Sequence, residues 1–148
     1  MKTPERILVV SRSTKHCRKA VSIGISLAQK FNAELYLMHI IYDPFGLEGW
    51  NLPIPDFRGE YERMAAEARR DMDQMVEQAR SEGLVVKELI KDGKPSDEIS
   101  KLVNDAQIDL IIMPAHEEGR LEHFLFGHSN DIIIRKLPAS ILLVKERG

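Results

Sequence analysis

Short, strongly apolar runs alternate along this chain with longer stretches in which apolar residues recur every three or four positions. RILVVS (residues 6 to 11), ELYLMHII (34 to 41), LVVKELI (84 to 90), IDLIIM (Ile108 to Met113) and SILLVK (Ser140 to Lys145) have the length and β-branched content of strands. The fourth run is apolar almost throughout, as suits a strand covered on both faces. Between them, Ala20, Ile23, Leu27, Ala28 and Phe31 fall on one face of a helix over Lys15 to Phe31. A longer helix from about Arg58 to Ser81 carries Tyr61, Met64, Ala65, Ala68, Met72, Met75, Val76 and Ala79 as a single stripe between charged residues. A third helix directs Ile99, Leu102, Val103 and Ala106 inward, and a short fourth covers Ser129 to Lys136, ended by Pro138.

The punctuation agrees with this division. Ser13 or Thr14 can cap the first helix, and Asn32 and Gly83 supply stops. In GKPSDEI (Gly93 to Ile99), Pro95 suits a helix start while Ser96 or Asp97 can satisfy its first amides. The segment from Tyr42 to Pro55 contains Gly46, Gly49 and three prolines, so it continues neither strand nor helix and reads as a long loop. Its Trp50 and Phe45 can cover a crevice or pack on a second copy.

Strand and helix therefore alternate through five strands, with connections too long for hairpins. This predicts one α/β domain over residues 1–148, with a parallel sheet and helices on both faces. In such a sheet, ligands collect beyond the carboxyl ends of the strands where the winding direction reverses. The tips after strands one and four are the places to look, and they are expected to lie side by side.

Composition adds exclusions. The 148 residues are enough to bury a core without staples, and 21 basic against 23 acidic residues give no polyanion-binding signal, so nucleic acid is not an expected partner. The single cysteine, Cys17, cannot form an internal disulfide, and no opening stretch joins a basic flank to a long apolar run. The apolar runs are strand-sized, so no membrane span is expected and a reducing cytoplasm is the expected compartment.

Candidate chemistry gathers at the expected crevice. Strand one ends in Val10, Ser11 and Arg12, strand two near Ile40, and strand four in Met113, Pro114, Ala115 and His116. Gly127, His128, Ser129 and Asn130 open the fourth helix, where free amides and a partial positive charge suit a phosphate, unless Ser129 only caps that helix. Arg12 can grip a phosphate as a bidentate fork or serve as a surface ion-pair partner. Together with His116, Arg120, His123 and His128 it would favour an anionic ligand. The histidines lack metal-ligand spacing, so no metal site is expected. No nucleophile, base and orienting group occur together, so no catalytic residue is assigned. Cys17 reads as helix packing and His39 as a core histidine with its polar atoms satisfied.

ILVVSRST before a helix, ELYLMHII, GKPSDEI, DLIIMPAH and FLFGHSNDIIIRKLPASILLVK together resemble the universal stress protein family over essentially the whole chain. That resemblance implies a Rossmann-like sheet in the order 3-2-1-4-5, of the adenine nucleotide alpha hydrolase-like type. It also implies homodimers paired through the last strands, here Ile141, Leu142, Leu143 and Val144. Many members bind ATP through a GxxG, nine further residues, and a glycine followed by serine or threonine, with an aspartate after strand one. On this chain those positions hold Pro114, Glu117, Gly127 and His128, with Arg12 in place of the aspartate. Pro114 removes an amide donor and Glu117 places a carboxylate where triphosphate would pass. The resemblance thus implies a stress-response regulatory module, not an enzyme, that holds ATP weakly and acts through an unidentified protein partner. The alternative it leaves is a sensor of ATP, AMP or another phosphate anion using a rearranged pocket.

Overall fold

The computed structural model describes residues 3–11, 17–41, 55–115 and 137–145. In chain order these form β1 (Arg6–Ser11), α1 (Arg18–Phe31), β2 (Glu34–Ile41), α2 (Pro55–Ser81), β3 (Val86–Asp92), α3 (Pro95–Ala106), β4 (Leu110–Pro114) and β5 (Ser140–Val144). The strands make one five-stranded sheet in the order β3-β2-β1-β4-β5, every pairing parallel. The fold class and strand order are those expected from the sequence. The expected fourth helix, the caps Ser13 and Thr14, and most of the loop 42–55 lie outside the described residues.

Side chains alternate across the pleat, so each inner strand feeds two core layers. Ile7 and Val9 of β1, Leu35 and Leu37 of β2 and Ile112 of β4 pack with Ala20, Val21 and Ala28 of α1 and with Met72 and Val76 of α2. The opposite layer joins Leu8, Val10, Tyr36, Met38, Ile40, Ile111 and Met113 to Ile99 and Val103 of α3. The sheet is thus covered on both faces, and this is why β1 and β2 read as nearly continuous apolar runs.

The α2 and α3 stripes lie against the sheet side as expected, whereas α1 is turned. Its buried residues are Ala20, Val21, Gly24 and Ala28, and Phe31 is 41% exposed. The cause is Gly24, where a Cβ would stand 2.6 Å from Val9 Cγ2; the helix lies so close to the sheet that only small side chains fit beneath it.

Several boundaries differ from the sequence reading: α1 starts at Arg18 rather than Lys15, β4 spans Leu110–Pro114 rather than Ile108 to Met113, and β5 ends at Val144 rather than Lys145. The helix α2 begins at Pro55 rather than near residue 58, because proline suits a first helical turn. The strand β3 runs two residues later than expected. Gly83, at φ 97°, ends α2, and the Leu84 amide still donates to the Ala79 carbonyl, so Leu84 belongs to the helix cap. Finally, α3 starts at Pro95 with Lys94 as N-cap and no side-chain capping bond, so neither Ser96 nor Asp97 serves as the cap residue.

Candidate functional site

The expected crevice would lie beyond the paired strands β1 and β4. Ile7, Leu8 and Val9 stand opposite Leu110, Ile111 and Ile112, which brings the tips after Val10 and Met113 side by side. The register is pinned at the other end of the strands. Asp109 Oδ2 accepts hydrogen bonds from the backbone N–H groups of Glu5 (2.8 Å) and Arg6 (3.0 Å), while the Asp109 N–H donates to the Arg6 carbonyl at 2.9 Å. A carboxylate accepting two amides is a charge-assisted clamp, and it fixes the two strands whose far ends carry the candidate residues.

The candidate side chains at those ends do not all face a ligand. Val10, Ile40 and Met113 are buried in the α3-side layer, so their side chains belong to the core and are not open to a ligand. Ser11 is fully buried on the opposite face, and its hydroxyl meets His39 Nδ1 at 3.3 Å. This pair follows from register, since Ser11 and His39 are direct partners across β1 and β2. Of Ser11, only the backbone remains for a ligand. Pro114 has no amide hydrogen, and the next one, on Ala115, donates to the Val144 carbonyl of β5 at 2.8 Å. Arg12, His116, Gly127, His128, Ser129 and Asn130 lie outside the described residues.

His39 was legible as a satisfied core histidine, but its partner was not. The available signal was the strand offset: aligning the starts of the first two apolar runs carries the last residue of RILVVS onto the histidine of ELYLMHII. Burial holds the His39 pKa below its ordinary value, and the negative charge of Asp71 on α2 partly opposes this. The neutral ring can share one proton with Ser11, and the tautomer decides which of the two donates.

Among the described residues no group of three or more histidine, cysteine or acidic side chains is arranged to hold a metal. No described helix is long and apolar enough to cross a membrane. Cys17 is buried in the core layer under α1, at the N-cap position of that helix.

An open parallel sheet in this strand order, with its switch point between β1 and β4, defines a Rossmann-like α/β protein. The universal stress protein family model matches residues 4–145, and the chain belongs to that family. It is similar to a universal stress protein of Methanocaldococcus jannaschii, 28% identical over 127 residues that make up 78% of each chain. Among solved structures it is similar to a universal stress protein from Lactobacillus plantarum, with a TM-score of 0.74 and 20% identity, covering 96% of this chain and 98% of that one. It also resembles the universal stress protein from Archaeoglobus fulgidus in complex with dAMP, with a TM-score of 0.61 and 14% identity, covering 97% of this chain and 98% of that one.

Proposed function

We propose that this universal stress protein is a non-enzymatic regulatory module of the cytoplasm whose crevice holds ATP weakly. The observation that carries this reading is the state of the β4 tip. Phosphate cradles are built from free backbone N–H groups, and here the first two positions after Met113 offer none, because Pro114 lacks the hydrogen and Ala115 commits its own to β5. Glu117 would add a carboxylate to the same wall. Isothermal titration with magnesium and ATP is expected to show no binding in the low micromolar range. A Pro114→Gly, Glu117→Gly chain is expected to gain affinity by at least tenfold. Low-micromolar binding by the unaltered protein would overturn the reading.

A second reading is favoured by the dAMP complex of the Archaeoglobus fulgidus relative. In it the crevice takes a nucleoside monophosphate or another phosphate-bearing anion, with Arg12, His116 and the Gly127, His128, Ser129 and Asn130 segment supplying charge and donors in place of the β4 tip. Arg12→Ala is then expected to weaken AMP binding by about tenfold, the worth of one charge-assisted contact. Equal affinities with and without the guanidinium would remove Arg12 from the site.

Assembly through β5 fits the same module. This strand lies at a sheet edge, and Leu142 and Leu143 are 36% and 48% exposed. An exposed apolar edge pairs readily with a second copy of itself. Val144 is different. Its side chain is buried in the core, so at that position only the backbone is available to a partner. Leu143→Glu is expected to give a monomer by light scattering while leaving the circular dichroism spectrum unchanged, and a persistent dimer would exclude this edge.

A further inference from the structure

Glu88 is an acid placed where strands carry apolar residues. It lies on the sheet face that packs under α2, between Val86 and Ile90, and its side chain is only 3% exposed. Its strand neighbour across the sheet is Leu37, which is fully buried. The charged groups that reach it both come from α2. The Arg80 guanidinium donates to Glu88 Oε2 at 2.8 Å and to the Val86 carbonyl at 2.8 Å, and the same Nη1 lies 3.6 Å from Asp73 Oδ1. Asp73 also stands within hydrogen-bonding reach of Glu88.

Two carboxylates against one guanidinium leave one negative charge uncompensated, and although Arg80 and Asp73 reach solvent, the Glu88 carboxylate itself is covered. Glu88 Oε1 is moreover a buried oxygen with no donor among the described residues. Both anomalies disappear together if one proton sits on Oε1. A carboxyl O–H then donates to Asp73, Oε2 continues to accept from Arg80, and the cluster becomes neutral.

We propose that Glu88 and Asp73 share a single proton over Arg80, and that this shared proton makes the hold of the α2 C-terminal half on β3 dependent on pH. Burial pushes the Glu88 carboxyl up from 4.5, the hydrogen bond with Asp73 pushes the same way, and Arg80 opposes both. Because the folded state binds the proton more tightly than the unfolded chain, the stability it supplies is fully present below pH 4.5. It is lost as pH rises through the higher folded value. Loss of the proton sets two carboxylates against each other beneath α2, and the contact loosens from the Arg80 end. Among the described residues, the other titratable groups on this face are His39, which faces Asp71 and responds in the opposite direction, and, toward the far end of β3, Asp92 with Tyr61 of α2, whose hydroxyl is pushed up by burial and by the Asp92 charge. This inference does not depend on what occupies the crevice.

The test is a carbon-detected NMR titration of the Glu88 carboxyl in the intact protein, combined with thermal unfolding at several pH values. Glu88 is expected to titrate above 4.5, and Asp73→Asn is expected to bring it down, because the amide can donate to Oε1 and removes the competing charge. Glu88→Gln keeps a donor toward Asp73 and an acceptor for Arg80. The unaltered protein is therefore expected to lose stability relative to E88Q as pH rises through the Glu88 midpoint, with faster hydrogen exchange at Ala79 to Ser81. A Glu88 midpoint at or below 4.5, or a stability difference from E88Q that does not change with pH, overturns the proposal. The direct titration decides even if both variants fail to fold.

Discussion

Gly24→Ala is expected to lower the thermal midpoint of unfolding by several degrees, and Val9→Ala in the same chain to recover part of that loss. The added methyl would stand 2.6 Å from Val9 Cγ2, 3.4 Å from Leu35 Cδ1 and 3.7 Å from Ile112 Cδ1. The first separation is far inside van der Waals contact, and Val9 is β-branched, fully buried and held in the centre of the sheet. The clash cannot be relieved by a swinging side chain, so α1 must lift or β1 must shift. Overpacking of this kind costs about 1–3 kcal/mol, against roughly 0.5–1 kcal/mol that alanine returns through helix propensity. Val9→Ala alone leaves a cavity and destabilises, yet in the double variant the Gly24→Ala methyl moves into that space. The two changes should therefore sum to less than their separate losses. Strict additivity, or a single variant as stable as the parent, would mean that α1 does not rest on β1 at this glycine.

The same close approach shows how much of the fold the sequence carries. The order of strands and helices was readable because each element repeats its own period, and because a doubly covered sheet makes its inner strands apolar throughout. The α1 face was not fully readable. Hydrophobicity alone gives Phe31 to the core and passes over Gly24, whereas the distance between helix and sheet selects the smallest residues for the inward line. At β3, LVVKELI contains the densest apolar letters, but Leu84 is consumed in closing the α2 helix. The strand therefore takes Lys91 and Asp92, which an edge position tolerates.

The candidate site divides in a similar way. The position of the two candidate tips was legible from topology, since alternation of elements implies a switch point and the apolar runs ending at Val10 and Met113 belong to paired strands. The roles of individual side chains were not, because they depend on register. A one-residue shift would turn Ser11 toward the α3 layer, and only the alignment of Arg6 with Glu34 places its hydroxyl on His39. Glu88 was hidden for the same reason. An acid in an edge strand reads as a solvated residue until Arg80 and Asp73 of α2 are seen to cover it.

Leu37→Ala and Met38→Ala are each expected to destabilise the protein by about 2–5 kcal/mol, the usual cost of deleting a large core side chain and leaving a cavity. Both residues are fully buried in β2, directly beside the β3 edge strand, and they point to opposite faces. Leu37 packs in the layer with α1 and α2, and Met38 in the layer with α3. Although adjacent in sequence, they touch different helices and line different cavities, so their losses are expected to add to within about 0.5 kcal/mol, as for independent sites. A stability of roughly 5–15 kcal/mol is ordinary for a single domain, so the double variant consumes most or all of it and should be largely unfolded at 37 °C. Urea unfolding followed by circular dichroism measures each single loss. If Met38→Ala costs less than 1 kcal/mol while Leu37→Ala costs its full share, the α3 layer is not a packed core, and the sheet is effectively covered on one face only.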